Sequence, residues 1–237
     1  MKKKIYLINQ DHDKGLLRNL FPIALRSEGL GFIETIALNH QVKVVGSPHE
    51  KTPELNKLII DRLDEVKNLR EVLVVNLEQD IEGISTKHRT PEVALLLLQE
   101  FEQTYRLQIW LIELKTSLTN RSLLGIEAKF RCAMNRMYML MNFLDYSAYG
   151  EQKNVYLIFK GLVLYNKDLT QPEDDLPMYQ ILKKYQQDEV AHKRDTILRC
   201  DTLLSENDKI QVKFIQNNGN SLGRYVLSLG QLIKNPF

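Results

Sequence analysis

Short apolar runs separated by stretches of helical spacing constrain this chain more than any other feature. Glu71–Leu77 and Leu107–Leu114 are almost wholly apolar, which is the signature of strands buried on both faces of a sheet. Asn154–Tyr165 is a further β-rich run, with Gly161 as a candidate bulge or break. Lys4–Ile8 and Gln211–Gln216 also read as strands, and Phe32–Leu38 and Gln41–Val45 alternate like a strand pair around Asn39-His40. Helical spacing marks Asp13–Arg26, interrupted at Pro22, and Ser122–Leu144, whose stripe is Leu123, Ile126, Phe130, Met134, Met137, Met141 and Leu144. Thr52-Pro53-Glu54 and Thr90-Pro91-Glu92 both look like helix starts, with a capping hydroxyl, a proline at the first turn and an acid facing the dipole. The first predicts a helix through Leu55, Leu58, Ile59, Leu63 and Val66, and the second one through Ala94, Leu97, Leu98, Phe101 and Tyr105. Met178–Arg199 reads as mainly helical, and a last element is expected near Tyr225–Leu232. Strands alternating with helices predict a sheet covered by helices, of the α/β or α+β class.

Length and charge narrow the classes further. At 237 residues the chain suits one large domain, read here as 1–237 with 171–237 a C-terminal elaboration. Lys plus Arg number 32 against 30 Asp plus Glu, a formal charge of +2, which argues against a polycationic tail but not against a local basic face. Cys132 and Cys200 form no CxxC pair, so zinc-ribbon and thioredoxin-like readings fail and a reducing, cytoplasmic setting is expected. Met1-Lys-Lys-Lys followed by Ile5–Ile8 is too short in its apolar part for a signal peptide, and no membrane partner is expected. Neither a GxxxxGK phosphate loop nor GxGxxG nor HExxH occurs.

The chemistry concentrates in Leu107-Gln-Ile-Trp-Leu-Ile-Glu-Leu-Lys-Thr-Ser117. Glu113 and Lys115 stand two apart at the end of an apolar strand, so both point to one face of the sheet. Two charges on one face of a central strand are costly to bury unless a ligand offsets them. A divalent metal would do so for Glu113, and a water or phosphate for Lys115. Phosphodiester hydrolysis uses this set: carboxylates to hold the metal and a cation beside the reacting phosphate. The plainer alternative is a solvated Glu and Lys on an edge strand.

Glu113-Leu114-Lys115, on an apolar strand followed by a long helix and another strand, resembles the PD-(D/E)XK nuclease superfamily, which includes many restriction endonucleases. The resemblance spans roughly residues 70–166. It implies a central mixed β-sheet flanked by helices and a restriction-endonuclease-like core, with Glu113 and Lys115 catalytic and Glu113 a Mg²⁺ ligand, for which Mn²⁺ may substitute. The second acid is Asp80, after the Glu71–Leu77 strand, or Glu92, which reads literally like the motif but is equally explained as a helix cap. The polar face of the following helix implies nucleic-acid contacts from Lys129, Arg131, Asn135 and Arg136, with His88 and Arg89 beside the candidate acids; a solvated helix face is the alternative. The implied activity is Mg²⁺-dependent cleavage of double-stranded DNA by a homodimer, as in type II restriction enzymes. The alternative is a non-catalytic nucleic-acid-binding or assembly subunit with a degenerate nuclease fold. A third reading, a Rossmann-like regulatory sheet in the N-terminal half, lacks phosphate-cradling glycines.

Overall fold

A computed structural model of the chain describes residues 5–9, 17, 20, 21, 25, 31–46, 57–79, 90–102, 104–142, 152–171, 193–202, 205–217 and 223–234. The fold is mixed α/β. Its strands are β1 (Ile5–Asn9), β2 (Ile33–Ile36), β3 (Val42–Val45), β4 (Lys57–Asp61), β5 (Leu69–Asn76), β6 (Val93–Phe101), β7 (Thr104–Leu118), β8 (Gln152–Asp168), β9 (Lys193–Thr202), β10 (Ser205–Gln216) and β11 (Arg224–Ser228). The helices described are α1 (Asn120–Asn142) and α2 (Leu229–Lys234). No helix among the described residues is long and apolar enough to cross a membrane.

One large sheet runs in the order β2-β5-β6-β7-β8-β10-β9. Its β2–β7 half is antiparallel, β8 lies parallel to both β7 and β10, and β9 closes the far edge antiparallel to β10. The second edge of β8 is divided: β1 pairs with its beginning, from Gln152 to Tyr156, and β10 with Lys160–Tyr165. A small sheet, ordered β11-β4-β3, is separate. Residues beyond 171 supply β9 and β10 to the large sheet and β11 to the small one.

Two apolar cores follow from the period-two alternation of side chains. On one face of the large sheet, Leu107, Ile109 and Leu111 of β7 and Ala94, Leu96 and Leu98 of β6 pack with Leu123, Ile126, Phe130, Met134, Met137 and Met141 of α1. On the other, Trp110, Ile112 and Leu114 of β7 and Leu95 and Leu97 of β6 pack with Val42, Val44, Leu58, Ile60 and Leu227 of the small sheet and Leu229 and Leu232 of α2. The central strands are therefore buried on both sides.

That double burial explains where sequence and structure part. Residues 93–99 are buried without interruption in β6, so Thr90-Pro91-Glu92 opens a strand and not the expected helix. A continuous apolar run carries no period that separates a central strand from a buried helix. Leu58 and Ile59, expected on a helix, lie in β4; Thr52-Pro53-Glu54 falls outside the described residues. Lys193–Arg199, expected at the end of a helix, belongs to β9, and 178–192 lie outside the described residues. The strands either side of Asn39-His40 form, but they do not pair: β2 joins β5 and β3 joins β4. Alternation defines a strand; distant residues choose its partner. At Gly161 the strand does not break. A Cβ there would stand 2.9 Å from Val212 Cγ2 and 3.1 Å from Phe130 Cζ, so glycine admits close approach of β10 and α1 to β8.

Candidate functional site

Where β6 begins and β7 ends, two carboxylates meet. The ladder pairs Val93 with Ile112, and continuing it one step sets Glu92 across from Glu113. Directly opposed residues of antiparallel strands have Cβ atoms about 4.5–5.5 Å apart. Both carboxylates project to the α1 face, in line with Ala94 and Leu111. Glu113 is 1% exposed, and Glu92 is also buried.

The two acids are held differently. Glu92 Oε2 accepts the Leu114 N–H at 2.9 Å, while the Glu92 backbone donates to the Ile112 carbonyl and accepts from Leu77. Burial, and then the Glu113 charge opposite, push its carboxyl up to about 8 against the backbone hydrogen bond and the Lys129 charge that pull it down. Glu92 therefore carries a proton near neutral pH. Glu113 Oε1 accepts from two ammonium groups: Lys129 Nζ of α1 at 2.6 Å, and Lys115 Nζ from its own strand. Glu113 Oε2 is buried and has no hydrogen-bond partner among the described residues. Burial works against the Lys115 ammonium, but the Glu113 carboxylate beside it outweighs that effect, with help from its hydrogen bond and the more distant Glu92; the Lys115 pKa is held above that of an ordinary lysine. Lys115 is thus a cation at neutral pH and no base. About a quarter of each lysine side chain remains open to solvent, so the cluster is reached from outside.

α1 delivers Lys129 because its start is fixed. Thr119 and Ser122 cap it reciprocally, with the Ser122 N–H on Thr119 Oγ1 at 3.1 Å and the Thr119 N–H on Ser122 Oγ at 2.7 Å. Asn120 exchanges two hydrogen bonds with the backbone of Gln171, tying the helix to the end of β8. From that anchor the buried stripe of α1 lies on the sheet, and Lys129 flanks it beside Glu113.

Of the residues singled out in the sequence, Glu92, Glu113, Lys115 and Lys129 come together. Arg136 does not face solvent as expected for a phosphate contact: it is 2% exposed, donating to the carbonyls of Leu77 and Gln79 at 2.5 Å each, with its guanidinium over the Phe32 ring. Thr90 Oγ1 donates to the same Leu77 carbonyl at 2.8 Å, so the hydroxyl that looked like a helix cap ties the start of β6 to the end of β5. Arg131 is exposed on α1 and Asn135 is half-buried there. Asp80, His88 and Arg89 lie outside the described residues, between Gln79 and Thr90. The convergence of Lys129 on Glu113 had no local signal. It depends on how far back across the sheet α1 lies, which no spacing within one element encodes.

The cluster offers hard oxygen ligands and fixed cations, a set suited to a divalent metal and a phosphate. Among the described residues no group of three or more His, Cys, Asp or Glu stands together to hold a metal ion. Comparison with known proteins returns no match: no family model, curated protein or solved structure matches the chain.

Proposed function

We propose that the chain is a metal-dependent endonuclease that hydrolyses phosphodiester bonds in double-stranded DNA, of the kind the PD-(D/E)XK resemblance implies. The observation that supports this most is the opposition of Glu92 and Glu113 with Lys115 beside them, on an antiparallel strand pair followed by α1 and the parallel strand β8. In this reading Glu92 takes the place of the first-half acid, and Asp80 stays a further candidate.

The residues fit Mg²⁺ or Mn²⁺. Glu113 Oε2 is a buried oxygen that lacks a donor among the described residues, and Glu92 is a carboxyl kept protonated by its burial and then by the Glu113 charge. Glu92 and Glu113 would hold the ion. Mg²⁺ is commonly bound through one or two carboxylates, with water and substrate phosphate completing its shell, so a pair suffices. Bound there, the ion supplies Lewis-acid polarisation of the phosphoryl oxygens and a nucleophile at neutral pH. The Lys115 ammonium stabilises charge developing on the phosphoryl group, and Lys129 orients the Glu113 carboxylate through its hydrogen bond to Oε1. Cutting both strands of a duplex needs two such sites, so the active form in this reading is a homodimer.

The test is cleavage of plasmid DNA by the purified chain. Mg²⁺ or Mn²⁺ should support cutting, EDTA should abolish it, and Ca²⁺ should support binding with little cutting. Glu113→Gln and Lys115→Ala should remove cleavage with the fold retained, and Glu92→Gln should remove it or raise the Mg²⁺ requirement. A chain that binds DNA but never cuts it in any divalent metal would instead be a non-catalytic nucleic-acid-binding or assembly subunit. One observation favours that second reading: Lys115 and Lys129 already neutralise Glu113 from within the chain.

A further inference from the structure

On the small-sheet side of β7, Trp110, Ile112 and Leu114 lie in the layer between the sheets. The strand's period of two carries the same face back through Gln108 and Arg106 to Thr104. Burial on this face ends between Gln108, 5% exposed, and Arg106, which is exposed. Phe101 of β6 and Tyr156 and Ile158 of β8 share the open end: the register sets Thr104 opposite Phe101, Arg106 opposite Tyr156 and Gln108 opposite Ile158. Phe101, Thr104, Arg106, Tyr156, Leu157 and Ile158 line a cavity of about 500 Å³, a size that holds small-molecule ligands. The polar groups at this end of the face are unequally served. Trp110 Nε1 donates to Gln108 Oε1 at 3.3 Å, Gln108 Nε2 to Gln99 Oε1 at 3.1 Å, and Gln99 Nε2 to the Lys67 carbonyl at 3.2 Å. Arg106 has no such tie. Its guanidinium lies 5.2 Å from the Phe101 ring centroid, and among the described residues no carboxylate pairs with it.

We infer that this cavity binds a small molecule with an apolar, ring-bearing body and one carboxylate. A mostly apolar recess with one placed charge is the usual form of a small-molecule site. The guanidinium donors form a planar fork that matches a carboxylate, and Phe101 supports that fork from one side. Phe101, Tyr156, Leu157 and Ile158 offer rings and aliphatic carbon to the body of the ligand. One cation asks for one negative charge, so a carboxylate fits better than a phosphate monoester, which carries close to two. Arg106 and Glu113 stand on opposite faces of β7, roughly 23 Å apart along the strand. Occupancy of this cavity is therefore independent of hydrolysis at Glu92 and Glu113.

The experiment titrates the full chain calorimetrically with 2-naphthoate and with its uncharged counterpart, 2-naphthylmethanol. Naphthoate should bind with a Kd of about 1 mM or below, and about tenfold or more tighter than the alcohol, as a charge-assisted pair implies. Arg106→Gln should remove that preference and leave the affinity for the alcohol within about twofold. Arg106→Lys keeps the charge without the fork and should retain only part of the preference. Ile158→Trp fills the cavity from an exposed position and should weaken both ligands. The Arg106 variants change an exposed side chain and should unfold at the parent's thermal midpoint. A parent chain that binds naphthoate no better than the alcohol, or not at all, overturns the inference. So does a preference that survives Arg106→Gln, or binding of both ligands unchanged by a folded Ile158→Trp variant, which would place them elsewhere. Tighter binding of 2-naphthyl phosphate than of naphthoate would overturn the carboxylate assignment. The outcome is read without DNA or metal, so it stands or falls apart from the nuclease reading.

Discussion

Glu113 sits where a lone carboxylate would be costly, and two ammonium groups share one of its oxygens. Either lysine alone still leaves a partner, so Lys115→Met and Lys129→Met should each cost about 1 kcal/mol or less in chemical denaturation, as expected of part-exposed pairs. Together they strand a buried charge, and the double variant should lose about 3 kcal/mol or more, well beyond the sum. Adding Glu113→Gln should restore most of that loss; simple additivity would show that the two lysines act independently. Glu92 makes the opposite kind of prediction, because its buried carboxyl is raised from 4.5 to about 8. Between those values the folded chain holds a proton that the unfolded chain has released. Stability contributed by the neutral carboxyl is complete below pH 4.5 and drains away as pH rises toward 8. Glu92→Gln keeps an acceptor for the Leu114 N–H and removes the titration, so it should stabilise the metal-free protein by a few kcal/mol at pH 8.5, and not at pH 4. Parallel stability–pH curves for variant and parent would refute the assignment.

Arg136 shows how an element can use a charged residue inwardly. It reaches from α1 to the carbonyls of Leu77 and Gln79, just past β5, where Thr90 also ties in the start of β6. The helix thus holds the stretch just past β5, to which Thr90 ties the start of β6. Arg136→Leu should cost about 1–3 kcal/mol, since it takes the guanidinium donor from the Gln79 carbonyl and leaves that of Leu77 to Thr90 Oγ1, and should leave the salt dependence of any DNA binding unchanged. A smaller slope with little loss of stability would return Arg136 to the nucleic-acid interface expected from its sequence position. The sequence was informative where burial is one-sided and local. α1 was legible from its apolar stripe, and Glu113 and Lys115 share a face because strand period guarantees it. It was silent where both faces are buried. The Val93–Phe101 run in β6 gives no period, so Thr90-Pro91-Glu92 passed for a helix cap and Glu92 stayed one of two candidate acids. Arg136 and Lys129 lie seven apart on one stripe of α1, yet one is sealed against carbonyls and the other reaches Glu113. Only the crossing of the helix over the sheet separates them.

Both sheets share one apolar layer, and the chain's single tryptophan lies inside it. Trp110 projects from β7 toward the small sheet, with Lys160 Nζ 5.8 Å and Lys213 Nζ 5.5 Å from its ring centroid. Lys213 is buried and donates to the Leu232 carbonyl at 2.9 Å, fastening α2 to the large sheet through β10. β4 and β11 pair although they come from opposite ends of the chain, so the small sheet forms only once the N- and C-terminal parts have met. An assembly of this kind has no unit that can leave alone without exposing Trp110, Ile112 and Leu114. Tryptophan emission, which reports the layer between the sheets, and far-ultraviolet circular dichroism, which reports the strands of both, should therefore give superimposable unfolding transitions. Leu227→Ala tests the coupling from the outside in. Leu227 lies on β11, buried against the large sheet, and removing its side chain should cost about 2–5 kcal/mol. Because that layer is common to both sheets, both probes should shift by the same amount. If the tryptophan transition moved to lower denaturant while the dichroism retained a separate, unshifted step, the small sheet would be an independently melting unit, and the shared layer would not bind the molecule into one cooperative fold.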